Sequence, residues 1–213
     1  MITTIIWDLD GDLSDTQKLH AKVDSEILAR FGVKISPEEI TAKYAGVRAE
    51  EFFQKLLDTK KAKYDLDALL KEKWRKMETY AQQKVTPIPR AITLVQKLHQ
   101  AGFKQAVASS STTKYIQIVL KKLKITSFFE AVTSGEQVKH GKPSPDIFLL
   151  AAQRLNSPPE CCLVIEDGRN GMLAAERAGM KCIGLVADVQ QEYPTKIKVS
   201  SLKEMDLEFV RRL

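Results

Sequence analysis

The chain has 213 residues, of which 44% are hydrophobic and 28% charged, and its formal net charge is +6. This composition excludes a disordered chain, and no apolar stretch approaches the ~20 residues that a membrane span needs. The first residues lead into Asp8 without a basic start or a cleavage site, so we expect no signal peptide and a cytoplasmic protein. Basic residues alternate with acids and lack interleaved aromatics, so nucleic acid is not the expected partner.

Predicted strands and helices alternate along most of the chain. Short apolar runs rich in β-branched residues predict strands at residues 2–7, 105–108, 131–133, 162–165 and 182–186. Periodic segments at residues 91–100, 114–123, 147–155 and 172–178 predict amphipathic helices. Alternation of this kind predicts right-handed βαβ crossovers and therefore an α/β, Rossmann-like doubly wound parallel sheet.

Residues 16–84 interrupt that alternation. Helical patterns occupy residues 19–31, 36–44, 50–57 and 66–80, and no convincing strand lies between them. The segment Ser-Pro-Glu-Glu at 36–39 has the cap, first-turn proline and early acids of a helix start. We therefore predict an inserted α-helical cap domain at residues 16–84, above a core domain formed by residues 1–15 and 85–213.

Polar side chains follow the predicted strands at four places. They are Asp8 and Asp10, then Ser109 and Ser110, then Lys142, and finally Glu166 and Asp167. Because the carboxyl ends of parallel strands meet at one edge of a sheet, we expect these groups to converge. Asp8 and Asp10 would project from the same face of a strand, and such crowded like charges need a nearby cation.

Taken together, these residues resemble the four motifs of the haloacid dehalogenase superfamily, and the resemblance covers essentially the whole chain. Residues 8–16 and 141–146 are similar to its β-phosphoglucomutase-like branch. The resemblance implies a phosphatase that uses Mg²⁺ and acts on a small, sugar-phosphate-like metabolite through a phospho-aspartate. The implied metal ligands are the Asp8 carboxylate, the Asp10 backbone carbonyl and Asp167, with Glu166 beside them.

Elementary chemistry suggests a role for each group. Asp8 is the expected nucleophile and the Asp10 side chain the expected acid/base. Lys142 would place a positive charge at the transferring phosphoryl group, and Ser109 and Ser110 would donate hydrogen bonds to it. Taken singly, each has another interpretation: Ser110 or Ser111 as a helix cap, Lys142 as a surface charge, and Glu166-Asp167 as a complement to the next helix N-terminus.

Four positions of the cap resemble substrate residues of the same branch: His20, Gly46, Arg48 and Lys76. Arg48 would hold a second anionic group of the substrate, while Lys76 would reach into the active site. The alternatives are a solvated charge at a helix start for Arg48, a packing residue for His20, and one base within a basic run for Lys76. Thr16 is the expected hinge between cap and core.

Two departures from the family pattern bear on the function. The mutases of this branch carry an Arg where this chain has Ala49, which argues against a sugar-phosphate mutase. His20 and Lys76 favour one, so the mutase is the second hypothesis. Asp12 occupies a position where the family nearly always has Thr or Val, and it could attract a cation, raise neighbouring pKa values or point to solvent. A catalytically weakened phosphate binder is therefore a further alternative. In each case we expect a monomer without a membrane partner.

Overall fold

The protein, described here from a computed structural model that covers residues 1–60 and 63–213, contains one parallel β-sheet. The strands are β1 (Thr4–Trp7), β2 (Lys104–Ser109), β3 (Ala131–Ser134), β4 (Cys162–Glu166), β5 (Lys181–Leu185) and β6 (Ile197–Val199), in the order β3-β2-β1-β4-β5-β6. The predicted α/β fold with a doubly wound sheet is confirmed. Sequence reasoning missed β6, because three residues with a central lysine are too short to show a strand pattern.

Nine α-helices lie within the described residues. The first four follow β1 directly: α1 (Gln17–Ala29), α2 (Pro37–Tyr44), α3 (Ala49–Asp58) and α4 (Leu66–Lys84). The others are α5 (Ala91–Gln100), α6 (Thr113–Lys122), α7 (Asp146–Arg154), α8 (Arg169–Arg177) and α9 (Leu207–Arg211). We refer to α1–α4 as the cap and to the sheet with α5–α9 as the core. None of these helices is long and apolar enough to cross a membrane.

Each face of the sheet carries a hydrophobic core. Ile5 and Trp7 of β1 join one buried cluster, whereas Ile6 joins the other, as the two-residue repeat of a strand requires. The first cluster continues into the cap, where it includes Phe53 and Met77. The cap and this face of the sheet therefore share apolar packing.

Two neighbouring segments connect the cap to the core. Ser14 forms a bridge with Pro87, and the Asp15 amide donates to the Thr86 carbonyl over 2.9 Å. On the far side, α4 packs against α6, and α2 contacts α8. The cap thus lies across the edge of the sheet at which β1, β2 and β4 end.

Candidate active site

The candidate site lies where the strand order of the sheet reverses. β1 is central, with β2 on one side and β4 on the other, and ligands of doubly wound sheets bind at this switch point. Asp8 directly follows β1, and its amide donates to the Ile165 carbonyl of β4 over 3.0 Å. The loop after β3 brings Lys142 to the same place. The four polar segments predicted from the sequence therefore lie together.

Lys142 is the cation at the centre of this site. Its Nζ lies 2.6 Å from Asp8 Oδ1 and 2.7 Å from Glu166 Oε2, and its side chain is fully buried. Burial disfavours the ammonium ion, but Asp8 and Glu166 outweigh that effect and raise the pKa of Lys142 above its ordinary value. Lys142 is thus a fixed positive charge and not the surface lysine of the alternative interpretation.

Burial disfavours the charged form of Asp8 as well. It raises the pKa of this carboxyl to about 7, supported by Glu166 and Asp10 and opposed by Lys142. The second oxygen of Asp8 accepts from the Asp10 amide over 3.1 Å. With one oxygen on Lys142 and the other on the backbone, the carboxylate has a fixed orientation at the end of β1.

Four carboxylates surround this point: Asp8, Asp12, Glu166 and Asp167 offer oxygens within 4.8 Å of one another. Burial, followed by the neighbouring acids, raises the pKa values of Asp12 and Asp167 well above their usual range. Gly11 makes the close approach possible, because a Cβ there would lie 2.0 Å from Asp167 Oδ2. Hard oxygen donors that repel one another in this way are suited to Mg²⁺. Neither Asp12 oxygen has a hydrogen-bond partner among the described residues, which is a further sign that the donor set fits a cation.

The side chain of Asp10 points away from that cluster into a network of hydrogen bonds. Ser111 Oγ donates to one of its oxygens over 2.8 Å, while Thr16, Tyr115 and His20 contact the other, His20 Nε2 at 3.2 Å. Burial would raise the pKa of Asp10, but His20 and the hydrogen bonds outweigh it and lower the pKa to about 2. Asp10 is therefore ionised in this arrangement. Sequence reasoning did not identify Ser111 and Tyr115 as its partners.

The serines after β2 lie between Asp10 and the cap. Ser109 is buried and its hydroxyl accepts from the Ser111 amide, whereas Ser110 donates to the Gly46 carbonyl of the cap. Neither Ser110 nor Ser111 caps α6, because Thr112 accepts from the Tyr115 amide at that helix start. The helix-cap interpretation of these two serines was wrong by one or two positions.

A cavity of about 60 Å³ separates the core groups from the cap. Asp8, Asp10, Ser109 and Ser110 line it from the core, while His20 and Gly46 line it from the cap. Typical ligand pockets measure roughly 300–1,000 Å³, so the cap lies close against the core and is closed in this structure.

Further polar residues of the cap line this cavity, among them Asp24, Lys73 and Trp74, which sequence reasoning missed. Lys73 Nζ lies 2.7 Å from Asp24 Oδ2, and both side chains are buried. Asp24 Oδ1 and Trp74 Nε1 are buried without a hydrogen-bond partner among the described residues. The sequence does contain a signal for Lys73. It is spaced four residues from Leu69 and from Met77, and all three lie in the buried stripe of α4.

Two predicted cap residues do not lie where expected. Lys76 is on the outer face of α4, paired with Glu72 and beside a separate surface depression. Arg48 binds Glu51 and donates to the carbonyls of Gly135, Val138 and Lys139 in the core over 3.2–3.3 Å. Its guanidinium group fastens the cap to the core, so it is not free to bind an anionic group in the cavity.

The fold brings together the four motifs that resemble the haloacid dehalogenase class. Sequence comparison supports the same class: a family model of haloacid dehalogenase-like hydrolases matches residues 5–185. The chain belongs to this family, which confirms the resemblance predicted from its motifs.

Two relatives of similar sequence are phosphatases by name. The chain is 32% identical to fructose-1-phosphate phosphatase YqaB of Escherichia coli over 179 residues, which are 84% of this chain and 94% of that protein. It is 34% identical to putative phosphatase YhcW of Bacillus subtilis over 188 residues, which are 86% of this chain and 83% of that protein. These relatives confirm the predicted enzyme class, a phosphoric monoester hydrolase.

Solved structures agree with the fold. A crystal structure of CbbY from Rhodobacter sphaeroides in complex with phosphate has a TM-score of 0.85 and 25% identity, covering 99% of this chain and 100% of that one. β-Phosphoglucomutase from Clostridium difficile has a TM-score of 0.87 at 24% identity, covering 100% of this chain and 96% of that one. The latter likeness concerns the fold alone.

Proposed function

We propose that the protein is a Mg²⁺-dependent phosphatase that hydrolyses a small sugar or polyol phosphate through a phospho-Asp8 intermediate. One observation carries the proposal. Asp8 is held by Lys142 within a cluster of acids, at the sheet edge that faces a closed cap. A carboxylate next to a fixed cation can approach a phosphate dianion that it would otherwise repel.

Asp8, Asp167 and the Asp10 carbonyl would hold the cation, with Glu166 beside them. When bound, Mg²⁺ supplies positive charge that neutralises and orients the phosphate. Lys142 contributes a second positive charge from the protein itself. Ser109 and Ser110 line the cavity from the core, together with Asp8 and Asp10, and their hydroxyl and amide donors would bind phosphoryl oxygens.

The first step forms a bond between an Asp8 oxygen and phosphorus and breaks the bond from phosphorus to the ester oxygen. The leaving alkoxide takes a proton from Asp10. Because Asp10 is ionised in this arrangement, that proton must reach it first, and His20 Nε2 lies 3.2 Å from the Asp10 carboxylate, where it can supply the proton. Asp10 then accepts a proton from the water that attacks the aspartyl phosphate. The products are an alcohol and inorganic phosphate.

The polar groups of the cap favour a substrate that carries several hydroxyl groups. Asp24 Oδ1 accepts and Trp74 Nε1 donates, and both are buried without a partner among the described residues. Lys73 adds further donors beside them. A carboxylate, an ammonium group and an indole N–H within one cavity can bind several hydroxyl groups of a polyol. The E. coli relative, a fructose-1-phosphate phosphatase by name, is consistent with this choice.

A phosphomutase of the β-phosphoglucomutase type is the second candidate. The contact between His20 and Asp10 favours it, because a mutase must also move a proton on and off a sugar hydroxyl. Against it, Arg48 is engaged with backbone carbonyls and Ala49 is buried, so neither position offers an arginine for a second phosphate. We therefore prefer the hydrolase.

A panel of phosphorylated metabolites tests the proposal. With Mg²⁺ we expect inorganic phosphate to be released from sugar or polyol monophosphates, and EDTA to abolish the release. With β-glucose 1-phosphate, formation of glucose 6-phosphate would favour the mutase. If no ester, including an aryl phosphate, were hydrolysed while sugar phosphates still bound, the protein would be a phosphate-ligand binder. A cytoplasmic monomer remains our expectation for the enzyme.

A further inference from the structure

Asp12 is the most unusual residue of the site. It follows Gly11 in the loop after β1, and its side chain is completely buried. Neither of its carboxylate oxygens has a hydrogen-bond partner among the described residues. A buried polar group without a partner costs free energy, and a carboxylate costs more than a neutral group. Asp12 therefore needs a partner that the described residues do not provide.

The surroundings of Asp12 indicate what that partner is. An oxygen of Asp12 lies within 4.8 Å of oxygens from Asp8, Glu166 and Asp167. Lys142 makes no hydrogen bond to Asp12, because its ammonium group bonds to Asp8 and Glu166. Opposite ligands of octahedral Mg²⁺ are about 4.2 Å apart, so side-chain movements of less than about 1 Å would bring these oxygens around one small cation.

We propose that Asp12 is an additional carboxylate ligand of the divalent cation, so that four acids of this chain surround the cation site. A fourth carboxylate strengthens binding of the cation before the substrate arrives, because attraction increases with the ligand charge. The inference shares with the proposed function the assumption of a divalent cation, but it concerns binding and not turnover.

Removal of the Asp12 charge tests this inference. In the isosteric Asp12→Asn variant we expect the affinity of the substrate-free protein for Mg²⁺ and Mn²⁺ to fall by about tenfold or more, as measured by isothermal titration calorimetry. The melting temperature of the same variant in EDTA gives the metal-free reference. Added Mg²⁺ should then raise its melting temperature less than that of the wild type.

Asp15→Asn is the matched control, since Asp15 is an exposed acid three residues further along the same loop. It should leave the cation affinity within about twofold of the wild type, a difference well under the 1.4 kcal/mol of a tenfold change. Asp12→Val provides a second, apolar variant if Asp12→Asn fails to fold. An affinity of either folded variant within twofold of the wild type would overturn the proposal.

A crystal grown with Mn²⁺ gives an independent test that needs no variant. An anomalous peak at coordination distance from an Asp12 oxygen would support the proposal. A peak bound by Asp8 and Asp167 with Asp12 beyond contact would contradict it. Cation binding through Asp12 in a protein that hydrolyses no phosphate ester would leave this inference standing and refute the proposed function, so the two failures are distinguishable.

Discussion

Lys73 and Asp24 form a buried ion pair inside the cap, with Nζ 2.7 Å from Oδ2. The pair joins α4 to α1, and the ammonium group also lies over the rings of Phe53 and Trp74. The second oxygen of Asp24 has no hydrogen-bond partner among the described residues. The pair therefore retains hydrogen-bonding capacity toward the cavity, where hydroxyl groups of a substrate would enter.

The first prediction compares two lysines of α4. Lys73→Met is expected to raise KM for the best sugar or polyol phosphate by about tenfold or more, because hydrogen bonds from a charged group contribute roughly 1.5–3 kcal/mol. Lys76→Met, one turn along the same helix, should keep KM within about twofold, because its exposed pair with Glu72 contributes little. Initial rates over a range of substrate concentrations measure both values.

A double variant separates recognition from stability. Lys73→Met alone leaves Asp24 buried and unpaired, which costs about 3–5 kcal/mol of unfolding free energy. Asp24→Asn combined with Lys73→Met should recover much of that stability and still bind substrate weakly. If the double variant regained the wild-type KM, the pair would have only a structural role.

The second prediction concerns the nucleophile. Asp8→Asn should lower kcat by on the order of a thousandfold or more, because an amide cannot form the aspartyl phosphate. Rapid quenching of the wild type should trap a phosphorylated, hydroxylamine-sensitive enzyme that mass spectrometry assigns to Asp8. Asp15→Asn, an exposed acid of the same loop, serves as the active control. Unchanged turnover in Asp8→Asn would refute covalent catalysis.

The third prediction concerns the buried lysine of the site, Lys142. Lys142→Met should lower the free energy of unfolding by about 3–5 kcal/mol in metal-free buffer, because Asp8 and Glu166 lose their shared partner. Turnover should also be lost. Lys139→Met removes an exposed lysine from the same loop and should change stability by less than about 0.5 kcal/mol. Chemical denaturation measures both, and equal stabilities would contradict the role of Lys142.

The fourth prediction concerns closure of the cap. Arg48→Gln removes hydrogen bonds to three carbonyls of the core, so the closed state should lose about 1.5–3 kcal/mol. We expect kcat/KM to fall by about tenfold and amide exchange to accelerate at residues 135–141 and at the start of α3. Arg75→Gln, at an exposed position of α4, is the control. Unaltered exchange would show that Arg48 does not fasten the cap.

The fifth prediction concerns the thiols. Burial, followed by Cys161 and Glu160, raises the pKa of Cys162 to about 11, and burial likewise raises the pKa of Cys182. Because only the thiolate reacts, both should stay neutral at pH 8 and alkylate roughly a hundredfold or more slower than the partly exposed Cys161. Raising the pH toward 11 should accelerate Cys162. Peptide mass spectrometry after iodoacetamide treatment measures this, and equal labelling of Cys161 and Cys162 at pH 8 would contradict it.

Much of the core was predictable because its determinants are local. Apolar runs that end in acids or serines indicated β1, β2 and β4, and the alternation with helices indicated a parallel sheet. A parallel sheet brings the carboxyl ends of its strands together, so the meeting of Asp8, Lys142 and Glu166 followed without knowledge of any side-chain position.

The cap was predictable as a set of helices but not in its contacts. Whether Lys73 or Lys76 faces the cavity depends on the rotation of α4 against α1, because residues three positions apart lie only about 60° apart around a helix axis. Arg48 likewise has its backbone partners only because the cap is closed on the loop after β3.

By itself, the sequence determined the order of strands and helices, the parallel sheet and the family, because these follow from periodic patterns and short motifs. Only the tertiary structure decided which cap groups enter the cavity and how Asp12 is surrounded. Asp12 has the same neighbours in sequence whether it faces solvent or the acids at 166 and 167, and packing of β1 beside β4 places it among those acids. That choice depends on contacts between residues more than 150 positions apart, which no local pattern records.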